Sequence, residues 1–144
     1  SFGISSNLRY ENWTFAFAGR ANFGNYVYNN VASENANYER LYRPEGPYLS
    51  NITTAVLNTG FVNPQYLSDH YIQDGSFFRM DYIKLAYLFD NLINGKANLT
   101  LSLTVNNAFL ITDYEGLDPE IFGGIDNNIY PRPRTYVFGV NFQF

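Results

Sequence analysis

The sequence predicts an all-β chain, an antiparallel transmembrane β-barrel segment with long loops on one side, and three observations carry that expectation. The last eleven residues, Arg134–Phe144, place Tyr136, Phe138, Val140, Phe142 and Phe144 on one face of a strand and Thr135, Gly139, Asn141 and Gln143 on the other. Aromatic residues make up 19% of the 144 residues, with 13 Tyr and 13 Phe, while charged residues make up 15%. The gaps between alternating segments are lopsided, two short and two long.

The physical link is a two-solvent strand. One face meets lipid and the other a wet lumen, so apolar residues recur with period two, and about 9–11 tilted residues cross the hydrocarbon. The terminal stripe has that length, whereas the last residues of soluble domains tend to be polar and frayed. Tyr and Phe enrichment suits the aromatic girdles at the two membrane surfaces.

Taken in order, Ser1–Tyr10 carries Phe2, Ile4 and Leu8 against Gly3, Ser5, Asn7 and Arg9. Trp13–Gly24 carries Trp13, Phe15, Phe17, Ala21 and Phe23 against Thr14, Ala16, Arg20 and Asn22. Only Glu11-Asn12 separates the two, a hairpin-length turn. Phe77–Phe89 shows Ile83, Leu85, Tyr87 and Phe89 against Lys84 and Ala86, and Ala97–Phe109 shows Leu99, Leu101, Leu103 and Val105 against Thr100, Ser102, Thr104 and Asn106. Asp90–Lys96 joins them through an Asn-Gly turn signal.

The connections Asn25–Ser76 and Leu110–Pro133 are long. With the terminal strand ending in the periplasm, both short turns fall there and both long loops outside, the loop asymmetry of outer-membrane barrels. Charges agree: Arg9, Arg20 and Lys84 lie opposite the stripes. Arg79, Asp81 and Arg134 share the stripes' parity, but at the outer strand ends, above the expected bilayer.

Several classes are excluded. No apolar run reaches the ~18 residues of a membrane-spanning helix, and mean hydropathy is −0.24. There is no cysteine for disulfides, zinc or thiol chemistry. A net charge of −4 offers no basic stripe for nucleic acid. The opening Ser-Phe-Gly-Ile has neither Met nor leader pattern, so the chain is expected to be a mature product or a piece of a longer one. The competing architecture is a soluble antiparallel sandwich, which also alternates because one face is buried.

Three passages narrow the reading. They are Tyr71-Ile-Gln-Asp-Gly-Ser-Phe-Phe-Arg-Met-Asp-Tyr-Ile-Lys-Leu-Ala-Tyr87, then Val105-Asn-Asn-Ala-Phe-Leu-Ile-Thr-Asp-Tyr-Glu-Gly-Leu-Asp-Pro-Glu120, then Gly124-Ile-Asp followed by Tyr130-Pro-Arg-Pro-Arg-Thr-Tyr-Val-Phe-Gly-Val-Asn-Phe-Gln-Phe144. In this order and spacing they resemble the closing passages of SusC/RagA-family TonB-dependent outer-membrane transporters, with Ala108 where the family usually has Leu. They span about half the chain.

The resemblance implies that residues 1–144 are the C-terminal part of a receptor barrel of roughly 22 strands, its last five, with the plug and N-terminal strands outside this chain. It implies TonB-dependent import of glycans or peptides at the outer membrane of a Gram-negative bacterium. The implied partners are the rest of the barrel, outer-membrane lipid, a SusD-like surface lipoprotein, and TonB acting through the plug. Tyr136, Phe138, Val140, Phe142 and Phe144 would then be the barrel-assembly signal.

Chemistry of other kinds is sparse. His70, in Ser68-Asp69-His70-Tyr71, reads as a solvated loop residue, because adjacent residues do not converge as a triad does. No catalytic residue is expected. Asp113, Glu115, Asp118, Glu120 and Asp126 could offer oxygen ligands to a structural Ca²⁺, but their spacing is not that of an EF-hand, and a solvated acidic loop is favoured. Residues 25–76 form a 52-residue connection, too long for a passive link. Within it Tyr38, Arg40, Tyr42, Arg43 and Tyr48 are candidates for contacting sugar or a partner protein, with packing of the loop on itself as the alternative. A different functional class also fits, a secreted β-sandwich carbohydrate-binding module with the tyrosines as its platform.

Overall fold

A computed structural model describes residues 1–42, 45–46, 49–127 and 130–144. The chain divides into two compact units: a strand unit of Ser1–Phe23, Phe77–Thr112 and Arg132–Phe144, and a loop unit of Gly24–Ser76 and Asp113–Pro131.

The strand unit is one antiparallel sheet of five strands in the order β1 (Phe2–Tyr10), β2 (Trp13–Asn22), β5 (Phe77–Asn91), β6 (Ala97–Thr112) and β7 (Thr135–Gln143). All five expected segments are strands, with β6 running three residues past Phe109. Glu11, at φ +51°, and Asn12 make the tight turn, and the Asn12 carbonyl accepts from the Leu88 amide at 2.9 Å, tying the hairpin to β5. A one-turn helix, α3 (Leu92–Gly95), joins β5 to β6.

The registers line the apolar residues up in rows across the sheet. Leu8, Phe15, Leu85, Leu103 and Phe138 form one, and Tyr10, Trp13, Tyr87, Leu101 and Val140 the one nearer the short turns. Because a one-residue slip would reverse every side chain, these in-phase rows put one chemistry on one face. The Trp13 and Tyr87 rings meet edge-on at 4.7 Å, and Tyr87 meets Phe89 at 4.6 Å, an aromatic belt at the turn end. The opposite face is largely small and polar, with Val137 and Leu88 as apolar exceptions. Asn7, Ala16, Lys84 and Thr104 align there, and Gly139 lies so close to Ser102 that a Cβ would sit 2.6 Å from its Oγ.

One expectation is corrected. The pairing shifts between Met80 and Tyr82 on β5, and opposite it between Ala18 and Gly19 on β2. Against β2, Asp81 is an extra residue, and on β6 two residues, Asn107 and Ala108, stand opposite it; this β-bulge reverses the alternation of β5 beyond it. Met80 and Phe78 therefore continue the apolar face, paired with Phe109 and Ile111 on β6. Arg79 leaves the apolar parity for the polar face, where it lies opposite Arg20. Asp81 binds Arg20, Oδ1 to Nη1 at 2.9 Å.

The loop unit contains β3 (Tyr26–Tyr28) paired with β4 (Ile72–Asp74), the helices α1 (Asn30–Asn35) and α2 (Val56–Thr59), and 3₁₀ turns at Tyr38–Arg40 and Asp69–Tyr71. Asn29 caps α1, its Oδ1 accepting from the Ala32 amide at 2.9 Å, which satisfies one of the free N–H groups of a helix start. The two long connections fold together. Tyr28 bridges Ile125, with the Tyr28 amide donating to the Gly124 carbonyl at 2.8 Å and the Asp126 amide to the Tyr28 carbonyl at 2.9 Å.

Candidate functional site

The first functional surface is the apolar face of the five-stranded sheet. Phe138 is 67% exposed, Leu103 48% and Leu85 44%. A sandwich would bury this stripe between two sheets, but the second sheet, β3 with β4, belongs to the loop unit. Each large apolar side chain left in water forgoes roughly 1.5–3 kcal/mol, so a face of this breadth demands an apolar solvent. Tyr136, Phe138, Val140 and Phe142 stand on it, and the rings of Phe142 and Phe144 lie 5.8 Å apart at its end. Strands of 9–16 residues cover the ~9–11 a tilted crossing needs.

The second region is the loop unit, whose interior combines residues of the recognised passages with Val27, Ser33, Asn37 and Val56 of the first long connection. Tyr71, Tyr114, Asp118, Pro119 and Asp126 are buried. The Tyr114 hydroxyl donates to Asp126 Oδ2 at 2.6 Å. Burial first, then Asp126 as hydrogen-bond partner and as charge, pushes the Tyr114 phenol far above its ordinary value. Burial likewise raises Tyr71, with a smaller contribution from Tyr28. Tyr28 is a relay in this interior: its hydroxyl accepts from the Leu67 amide at 2.8 Å and donates to Ser33 Oγ at 2.9 Å, and Ser33 donates on to the Gln65 carbonyl at 3.3 Å. A buried polar chain satisfied at every link costs little.

The acidic residues of the second connection are dispersed into this framework. Asp126 receives Tyr114, Asp118 Oδ1 caps the Glu120 amide at 2.9 Å, and Glu115 Oε2 accepts from Gln73 at 2.9 Å. Among the described residues no three His, Cys, Asp or Glu side chains form a group that could hold a metal ion, so Asp113, Glu115, Asp118, Glu120 and Asp126 are not brought together as a Ca²⁺ site. His70 stacks edge-on against Tyr71 at 5.0 Å and Phe61 at 5.6 Å, an aromatic packing role.

A cavity of about 360 Å³ opens in the loop unit, lined by Glu34, Asn37, Glu39, Arg40, Tyr42, Glu45, Gly46, Pro64 and Tyr66. Arg40 and Tyr42 of the sequence candidates line it. Tyr38 opens the 3₁₀ turn that carries Arg40. Arg43 and Tyr48 lie outside the described residues. Asn37 shapes the floor: it is buried, its Oδ1 accepts from the Arg40 amide at 3.1 Å, and its Nδ2 donates to the Glu34 carbonyl at 3.0 Å. Reading tyrosines and arginines alone, which also picks out Tyr66 of the same connection, missed Glu34, Glu39, Glu45 and Pro64. The available signal was three glutamates within twelve residues, 34–45.

No protein-family model matches the chain. Over 99% of its length it is 37% identical to the TonB-dependent receptor SusC of Bacteroides thetaiotaomicron, of which it covers 15%. It is 30% identical, again over 99% of its length, to the TonB-dependent receptor P26 of Formosa agariphila, covering 17% of that protein. The chain thus spans about a sixth of these relatives. Its fold matches the solved RagAB peptide transporter with a TM-score of 0.72 at 20% identity, over 96% of this chain and 16% of that one. It also matches the RagAB importer in the 'open-open' state at 0.71 and 21%, over 99% and 17%.

Proposed function

We propose that this SusC/RagA-like TonB-dependent transporter segment forms the last five strands and two external loops of an outer-membrane barrel that imports nutrients into a Gram-negative cell. The carrying observation is the apolar face, continuous and exposed across all five strands. It is the lipid side of a barrel wall, and the small polar face is the lumen side.

The sheet is open at β1 and β7, and unpaired backbone groups in hydrocarbon cost several kcal/mol each. The two edges therefore pair with strands of the same transporter outside this chain, which closes the barrel. The segment carries no catalytic role. It supplies wall, lumen lining and external loops, with energy delivered by TonB through the plug. A SusD-like lipoprotein over the loops and a glycan or peptide cargo fit the relatives' names, SusC and a peptide importer.

Spin labels on single cysteines of the full transporter in liposomes test the wall. Labels at Phe138 and Leu103 are expected to be open to oxygen and shielded from a water-soluble nickel chelate, and labels at Asn141 and Thr104 the reverse. Equal nickel access at all four positions would refute the lipid-facing assignment.

A further inference from the structure

The net charge hides a strong division. The strand unit has seven Lys and Arg against three Asp and Glu, and the loop unit two against ten. Ten carboxylates in a unit with two cations set a negative field that concentrates cations at its surface.

The cavity focuses that field. Three carboxylates, Glu34, Glu39 and Glu45, line it against one guanidinium, Arg40. Glu34 accepts from Asn30 at 3.1 Å. Among the described residues, no hydrogen bond or ion pair engages the carboxylates of Glu39 and Glu45 or the guanidinium of Arg40. These charges are not holding the loop together, unlike Asp126 and Glu115. Tyr42 and Tyr66, 59% and 64% exposed, add two aromatic faces to the same lining. An organic cation gains on such rings as well as on carboxylates. Among the described residues the carboxylates do not form a group that could hold a metal ion, which favours an organic cation over a bare metal ion. The volume suits a group of several heavy atoms.

We propose that this cavity is an external docking subsite for solutes bearing primary ammonium groups, held by Glu39 and Glu45 with Tyr42 and Tyr66 against the alkyl or ring carbons, while Arg40 takes an anionic end. The assignment rests on the importer reading above and adds a charge class to its cargo. Two sources carry the same ammonium chemistry, basic peptides and amino sugars.

The test is calorimetric binding to the purified full-length transporter of trilysine, a glucosamine trimer and N-acetyltriglycine, which has no ammonium group, with the barrel verified by its heat-dependent gel mobility. Trilysine or the glucosamine trimer is expected to bind more tightly than N-acetyltriglycine, and the better of the two names the source. The E39Q/E45Q variant should weaken that binding about tenfold, the loss of two partly exposed charge contacts, and about 1 M salt should abolish most of it. Three results would overturn the subsite: no preference over N-acetyltriglycine, unchanged affinity in E39Q/E45Q, or Ca²⁺ alone binding with the same glutamate dependence and excluding both amines. A transporter that forms no heat-modifiable barrel would instead count against the wall assignment, so the two failures are distinguishable.

Discussion

Arg79 and Asn107 are held together across β5 and β6 by a 2.8 Å hydrogen bond from Nη1 to Oδ1, at the level where the two strands shift register. Asn107 sits at φ +50°, a left-handed conformation asparagine tolerates better than most residues. Its Nδ2 donates to the Arg132 carbonyl at 2.7 Å, just before β7 begins. One side chain thus links β5 and β6 to the segment that enters β7, and it gives Arg79, 3% exposed, a charge-assisted bond. N107A should destabilise the barrel by about 1–3 kcal/mol, seen as a lower temperature for the loss of heat-resistant gel mobility in the full transporter. N107D, which keeps the acceptor for Arg79 but loses the donor to Arg132, should fall between. A wild-type transition in N107A would show that the clasp contributes nothing.

Gly75 and Gly116 are required by close approach. A Cβ at Gly116 would collide with the Tyr114 ring, and one at Gly75 would lie 2.6 Å from Asn25 Nδ2 and 2.8 Å from Val27 Cγ2. Both face buried residues that cannot give way without loosening the loop interior. G75A and G116A should each cost about 1–3 kcal/mol, read as faster protease cleavage within residues 25–76 on intact cells. G3A, whose Cβ meets nothing within 4 Å, is the control and should leave cleavage unchanged.

The Tyr114–Asp126 contact predicts an alkaline limit. The phenol's folded-state value is raised above the ordinary 10.0, so its contribution is whole below pH 10 and declines as pH rises beyond it, because the folded loop resists deprotonation and the unfolded one does not. Tyr71 acts in the same direction. Amide exchange in residues 113–127, corrected for its intrinsic pH dependence, should lose protection above pH 10 in the wild type. Y114F, already weakened by loss of the bond to a buried carboxylate, should show a shallower pH dependence. An equal slope in both proteins would assign the alkaline loss to other groups.

The strand pattern was legible because a two-solvent sheet writes its faces into alternate residues, as in Leu99, Leu101, Leu103 and Val105. Where one residue is inserted, the count fails. Asp81 carries no mark in the sequence that distinguishes it from its neighbours, so Arg79 read as sharing the apolar parity until the Met80–Tyr82 shift moved it. The loop unit was legible as motif but not as structure. Tyr71, Gly75, Tyr114, Gly116, Asp118 and Asp126 could be picked out, yet their role depends on residues far off in the chain, such as Tyr28 meeting Ile125. The cavity was half legible for the same reason: Arg40 and Tyr42 are close in sequence, but Pro64 and Tyr66 reach it only through folding.

The terminal strand offers the sharpest test of the wall. Phe138 occupies a middle row with Leu103, while Asn141 lies on the opposite face paired with Thr100. A lysine on the lipid face near the bilayer midplane costs roughly 2–4 kcal/mol, and on the lumen face far less. F138K should therefore sharply lower the amount of inserted, heat-modifiable transporter, and N141K should leave it near wild type. Deleting Phe144, 98% exposed at the end of the same face, should reduce inserted barrel without altering the solute affinity of the molecules that do insert, since it lies outside the cavity. Measuring outer-membrane yield and binding affinity on the same preparations separates these outcomes. Equal insertion of F138K and N141K would mean that this face does not meet lipid, and unchanged yield without Phe144 would remove the terminal residue from barrel assembly.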